Sequence, residues 1–374
     1  MDTPSSSASG AGRYWSDPSA LNIPWTESPF FEGLLEAGGY TEEQARSARQ
    51  FGQQGFLLLE GLIEPELVDE VVGEFDRLFD PDAHHKAPPW AEEVLNSDPS
   101  RKQDAWYVSD PVKRLALHPR VKETLELLYG RRPVPFQTLD FLRGTEQSLH
   151  SDAFHFSSIP SRFMCGVWVA LEDITEENGP LRYVPGSHLF PDIQLSDLGL
   201  WAEPPEDGLG PNYEVFEEYI EALLERHRIP VAEITCKKGS ALFWASHLLH
   251  GGAPIRDPKS TRMSQVTHYY FEDCLYYTPA HSNQALGELQ LRNVYDIETG
   301  EKQPHVLGGK KVLGQMWSQG RSRLHLAGPD GKVDIYPPEG YAPSGSPGDK
   351  LRRGLLSLAR KVDRRWGRDP GASS

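Results

Sequence analysis

The chain has 374 residues, a formal net charge of −16, and 38% apolar, 10% aromatic and 25% charged residues. That length and composition support one large domain or two modest ones with a real hydrophobic core, far from disordered or collagen-like sequences. The acidic balance excludes general nucleic-acid binding, because neutralising phosphates needs a basic face.

Residues 1–14 are Ser/Gly/Ala-rich and read as a disordered tail without the positive and apolar regions of a leader. No apolar run reaches the roughly 18 residues that span a bilayer. Cys165, Cys236 and Cys274 show no disulfide or zinc spacing, as in a reducing compartment, so a cytoplasmic protein is expected. Thr41-Glu42-Glu43-Gln44 is a capping box that opens a helix. A short apolar strand follows, Phe56 to Leu59. Pro65 suits the first turn of a helix with Leu67, Val71, Phe75 and Leu78 on one face, and a further helix runs from Pro119 to Tyr129 and stops at Gly130.

From Val134 the pattern becomes short β-branched and aromatic runs between Gly, Pro and Asn, as in an antiparallel barrel or jelly roll. The predicted strands are Val134 to Leu142, Ser148 to Phe156, Phe163 to Glu172, Leu181 to Val184, Val231 to Thr235, Ser240 to Trp244 and Met263 to Phe271. The stretch 191–228 interrupts them with an acidic, Pro/Gly-rich loop and a helix carrying Phe216, Ile220, Leu223 and Leu224, which fits either a lid beside a barrel mouth or a plain surface excursion. This organisation gives a main domain over 15–275, a Gly/Pro-rich extension over 276–349, and a last helix over 350–368. That helix sets Leu351, Leu355, Leu358, Val362 and Trp366 on one stripe among eight basic residues and one acidic residue, suited to peripheral contact with an anionic membrane or an acidic partner.

Candidate chemistry centres on His150-Ser151-Asp152. On a strand, residues two apart share a face, so both side chains can reach one ion. An apolar run from Phe243 then delivers His250 into Gly251-Gly252. Two imidazoles and one carboxylate form the facial triad of non-haem Fe(II) oxygenases, with the opposite positions open for co-substrate and O2. Arg262, at the head of another predicted strand, supplies a bidentate fork for the distal carboxylate of a keto-acid. Ser264 shares its strand face and can add a hydroxyl contact.

Other polar residues have blander readings. His247 falls on the opposite strand face from His250 and is no ligand; His188 makes a structural hydrogen bond in a turn. His84-His85 is a solvated turn. Phe154 and His155 follow the ligand segment as candidates to line the substrate pocket, although strand alternation turns His155 away from the ligands; Gln137 and Arg182 face either the pocket or a barrel end.

The motifs His150-Ser151-Asp152, Trp168 to Asp173, Glu177 to Leu181, Val184 to His188, Leu248 to Gly252 and Arg262 together resemble the phytanoyl-CoA dioxygenase family. The resemblance implies a mainly β fold with flanking helices around a double-stranded β-helix, the jelly-roll core also described as cupin-like. It implies Fe(II) held by His150, Asp152 and His250, and 2-oxoglutarate gripped by Arg262 with Trp168 beside it. It further implies a dioxygenase that uses O2, releases succinate and CO2, and hydroxylates an unactivated carbon of a small-molecule or lipid-like metabolite. Halogenating relatives replace the carboxylate ligand by Gly or Ala, so Asp152 points to hydroxylation. The alternatives are a zinc-binding cupin-like hydrolase and a non-catalytic binding protein. The former leaves Arg262 and Trp168 without purpose; the latter is at odds with an intact triad.

Overall fold

The computed structural model describes residues 21–202, 210–318 and 321–336. The tail over 1–14 and the basic helix predicted over 350–368 lie outside the described residues. Thr41 forms its capping box with Gln44 and opens α2, Glu42–Gln54, which closes on Gly55 at φ 79°. Before it lies α1, Phe31–Ala37. After it come β1, Phe56–Leu59, then α3, Pro65–Leu78, and α4, Pro89–Ser97. Next are β2, Arg101–Gln103, α5, Asp110–Ala116, and α6, Pro119–Tyr129, which ends on Gly130 as predicted.

The strand-rich part comprises β3, Pro133–Phe141, β4, Ser157–Ile159, β5, Met164–Ala170, and β6, Leu181–Tyr183. Helix α7, Gly210–His227, precedes β7, Ala232–Ile234, β8, Ala241–Ala245, β9, His250–Gly252, β10, Ser264–Phe271, and β11, Leu275–Tyr277. A six-stranded antiparallel sheet runs β1-β8-β5-β10-β3-β2, and a three-stranded sheet runs β7-β6-β9. Phe141, Trp168, Leu242, Trp244 and Val266 of the first sheet meet Leu181 and Ile234 of the second in one apolar cluster, so the two sheets face each other as a jelly roll. The alternate residues Val167, Val169, Phe243 and Tyr269 point outward into a second cluster with Phe51 and Leu57 and with Val68, Phe75 and Leu125 from α3 and α6. Sandwiching on both faces explains why β5, β8 and β10 are buried along their whole length, and why β5 and β8 read as continuous apolar runs.

One predicted strand is corrected. Ser148 to Phe156 forms only an isolated bridge at His150, and the chain then turns into a 3-10 helix over Asp152–Phe154. Ser151 caps that turn, its hydroxyl accepting from the Ala153 amide. Residues after Cys274 add β12, Val306–Leu307, β13, Lys310–Ser318, β14, Arg321–Ala327, and β15, Val333–Tyr336, as an antiparallel meander. The three cysteines are free and buried. No helix of the described residues is long and apolar enough to cross a membrane.

Two neighbouring carboxyls lie at the β3-β2 edge of the large sheet. Asp140 on β3 is fully buried with neither oxygen hydrogen-bonded, and burial followed by the nearby Asp104 pushes its pKa well above the carboxylate range. Asp104 is itself raised to about 6, chiefly by burial, although Thr138 N–H and Trp106 Nε1–H donate to it. A carboxyl raised in the folded state favours folding only while protonated. Its contribution is fully present below the unfolded pKa and is lost as pH climbs toward the folded value. Asp140→Asn removes that dependence. It should leave the melting temperature nearly unchanged at pH 4 and raise it at pH 8, by roughly 2–4 °C for each kcal/mol recovered. Equal shifts at both pH values in calorimetry would show that the carboxyl charge is not responsible.

Candidate metal centre

His150 and His250 are joined by reciprocal backbone hydrogen bonds, His150 N–H to His250 O and the reverse, each at 3.0 Å. This bridge extends the three-stranded sheet by one position beyond β9. Glycines at 251 and 252 permit it, because a Cβ at either would press into the backbone of residues 146–148. The imidazole centroids lie 4.7 Å apart. In each ring Nδ1 sits beside the carbonyl two residues back, Ser148 O at 2.8 Å and Leu248 O at 3.0 Å. With Nδ1–H donating there, each Nε2 carries its lone pair toward the common cavity.

Asp152 completes the group: one ligand atom from each of His150, Asp152 and His250 lies within 4.8 Å of the others, and all three residues are buried. Burial, and then the neighbouring His250, lowers the His150 pKa to about 4, which keeps the ring neutral as a metal ligand must be. Burial alone would raise the Asp152 carboxyl, yet the facing imidazoles of His250 and His268 hold it far below the ordinary carboxylate range. Two imidazoles and an ionised carboxylate, dry and convergent, fit a divalent first-row metal.

Strand alternation does not bring Asp152 to this point, since the residue lies on a 3-10 turn. The placement comes from Trp244 on β8. Its indole Nε1–H donates to Asp152 Oδ2 at 2.7 Å, and the ring sits over Gly166 of β5, where any Cβ would collide with it. His268 of β10 approaches the same oxygen at 3.5 Å while its Nδ1 meets Gln137 Oε1 at 2.9 Å. Neither Trp244 nor His268 was singled out as a site residue from the sequence. The period-2 pattern of β8 and β10 puts both on the inward face, but the same pattern fits ordinary core residues.

The cavity around the triad is about 380 Å³ and is lined in part by Gln137, His155, Trp168, Arg262 and His268. Arg262 is 2% exposed, and burial lowers its pKa to about 10. Its Nε and Nη1 have no hydrogen-bond partner among the described residues, and the same holds for Trp168 Nε1 and Ser264 Oγ. The guanidinium lies 5.9 Å from the Trp168 ring. Arg262 and Trp168 line the cavity and Ser264 does not; buried donors are normally satisfied, so the orphans of Arg262 and Trp168 suit an anion.

The remaining candidates separate. His155 and Gln137 line the cavity, whereas Arg182 does not, and its Nη2–H donates to Gln147 O. Phe154 instead packs 4.5 Å from Phe216 of α7. His247 is no part of the triad, although it lies in a turn after β8 and not on a strand; its Nε2 faces Asp192 at 3.6 Å. His188 Nε2 meets Gly52 O at 3.1 Å in the structural contact expected. In the His84-His85 pair only His84 is solvated. His85 is buried, with Nε2 3.0 Å from Leu78 O, a correction to the solvated-turn reading.

Trp244→Phe keeps the ring over Gly166 but removes the donor to Asp152. Cobalt(II) titration should show metal affinity falling about 10- to 100-fold. His247→Ala should leave it unchanged. Parity of the Phe variant with the parent would remove Trp244 from the ligand-orienting role.

A model of the phytanoyl-CoA dioxygenase family matches residues 51–264, more than half of the chain. Peroxisomal phytanoyl-CoA dioxygenase of Rattus norvegicus is 23% identical over 274 residues, covering 69% of this chain and 76% of that protein. Phytanoyl-CoA dioxygenase domain-containing protein 1 of Mus musculus is 36% identical over 89 residues, covering 22% of this chain and 31% of its own length. Among solved structures, EctD from S. alaskensis with 2-oxoglutarate and 5-hydroxyectoine aligns at TM-score 0.49 and 20% identity, over 82% of this chain and 96% of that one. The 2-oxoglutarate-dependent epimerase SnoN from nogalamycin biosynthesis aligns at TM-score 0.48 and 23% identity, over 66% and 89%. The family match spans β1 through the first residue of β10 and contains both histidines, Asp152 and Arg262, and on that span the chain belongs to the phytanoyl-CoA dioxygenase family.

Proposed function

We propose that the protein is an Fe(II)- and 2-oxoglutarate-dependent dioxygenase that hydroxylates an unactivated carbon of a small molecule. The observation that carries this reading is the pairing of two features in one cavity: a buried His-Asp-His group, and a wall of buried donors, Arg262 and Trp168, that lack partners. His150, Asp152 and His250 would hold the iron, leaving its remaining positions toward the cavity. Bound there, iron supplies the one-electron chemistry that couples cleavage of O2 to oxidation of a C–H bond. Arg262 would grip the distal carboxylate of 2-oxoglutarate, with the Trp168 indole as a further donor to it. The balance is one 2-oxoglutarate, one O2 and one substrate C–H giving succinate, CO2 and the alcohol, with one oxygen atom in succinate and one in the hydroxyl.

Apolar walls contribute by excluding water. Trp168, Trp244, Leu181 and Val266 surround the triad, so the keto-acid loses its hydration only where Arg262 replaces it. A hydrolytic zinc site would need none of the Arg262 donors.

Anaerobic protein with Fe(II) and 2-oxoglutarate should develop the weak visible charge-transfer band of a chelated keto-acid. Its absence, together with no succinate formed in air, would overturn the reading. His150→Ala should abolish the band. Arg262→Gln should raise the 2-oxoglutarate dissociation constant about 30-fold or more, since truncating one partner of a buried charge-assisted pair costs about 2 kcal/mol at least. If His247→Ala also loses the band, the ligand assignment is wrong.

A further inference from the structure

We infer that Arg292 anchors an anionic group of the substrate to be oxidised, whose apolar body lies in an aromatic cleft beside the metal cavity. The inference rests on the oxygenase reading above and adds the substrate class. Three arginines line the metal cavity, Arg101, Arg262 and Arg292. Arg101 has Asp98 at 3.8 Å. Arg262 belongs to the proposed co-substrate wall. Arg292 makes no ion pair among the described residues, although the chain is strongly acidic.

Its geometry is fixed all the same. Nη1–H donates to Thr278 Oγ1 at 3.1 Å, the backbone N–H donates to Tyr276 O, and the guanidinium lies 4.6 Å over the Phe156 ring. Nε is buried and without a partner. A planar fork held by a ring and one hydroxyl, with an N–H left over, is arranged for a carboxylate or similar oxyanion. On the same cavity wall, burial and then His150 lower the His155 pKa, with a smaller contribution from Arg292.

Arg292, Gln103 and Gln137 are shared with a second cavity of about 290 Å³. Its walls are aromatic: Trp90 stacks with Tyr295 at 5.2 Å, and Trp106 with Tyr107 at 3.6 Å. The acidic group on that wall, Asp104, is turned toward Thr138 N and Trp106 Nε1. Trp90 is 58% exposed, placing it at the rim. An apolar or aromatic body entering past Trp90 would meet Arg292 where the cleft joins the metal cavity. The anion would then fix which carbon faces the triad.

The test uses the full chain loaded with Zn(II) as a diamagnetic stand-in and saturated with 2-oxoglutarate, which occupies the Arg262 wall. Binding of 4-phenylbutanoate and its neutral isostere 4-phenylbutanamide is measured by saturation-transfer NMR. The acid should bind at least about tenfold more tightly than the amide, one charge-assisted contact being worth that much. Arg292→Gln should bring the two within twofold while 2-oxoglutarate affinity and melting temperature stay put, and Arg292→Lys should restore part of the preference. Trp90→Ala should weaken acid and amide alike. No acid preference in the parent, a preference that survives Arg292→Gln, or one lost only in Arg262→Gln overturns the assignment. Failure of 2-oxoglutarate itself to bind the parent would instead strike the oxygenase reading. The acid-to-amide ratio is then still read in the Arg262→Gln background.

Discussion

The reciprocal backbone bridge between His150 and His250 is the constraint on which the site depends. It brings together two segments far apart in sequence and sets their imidazole centroids 4.7 Å apart. Two glycines after His250 make the approach sterically possible. Two backbone carbonyls then set the tautomers, so each ring enters the cavity as a neutral donor. Organisation of this kind offsets much of the entropy that flexible ligands would lose on binding a metal.

Around the bridge the two sheets divide the work. The large sheet contributes polar atoms through its inward residues, Trp168, Trp244 and His268, and just before β10 through Arg262, while its outward residues lock into the helical layer. Because both faces are packed, each inward side chain has little freedom, and the Trp244 indole is confined over Gly166 with its N–H on Asp152. Rigidity in the outer core is thereby converted into orientation at the carboxylate. The proposed co-substrate role accounts for the polar orphans of this cavity, which would be destabilising in a purely structural core. The Asp140 carboxyl, on the opposite face of β3 from Leu139 and Phe141, has no such role here and carries a pH-dependent cost.

Much of the fold was legible because its signals are local. The Thr41 capping box, the Pro65 and Pro119 helix starts and the glycine stop at 130 all appear where chain chemistry places them. Six of the seven strands predicted from Val134 onward appear within two residues of their expected ends. Ser148 to Phe156 failed because its apolar alternation reflects burial from several directions, whereas the backbone leaves the extended state at Asp152 to reach Ser246 O through Ser151 and Ala153. His85 was misread for a related reason: a histidine in a polar loop looks solvated until the Leu78 carbonyl covers it.

By itself the sequence singled out His150, Asp152 and His250, which the fold brings together, and Arg262 as a candidate donor, because metal and carboxylate chemistry limits which residue types can serve. It also determined the inward and outward faces of the long strands through their period of two. Only the tertiary structure decided that Trp244 and His268 hold the carboxylate, and that Arg262 and Arg292 keep unsatisfied N–H groups at the cavity wall. It alone joined an aromatic cleft from Trp90, Trp106 and Tyr295 to the metal cavity. The physical reason is that hydrogen-bond satisfaction and cavity shape are sums over neighbours distant in sequence, which no local pattern of residues encodes.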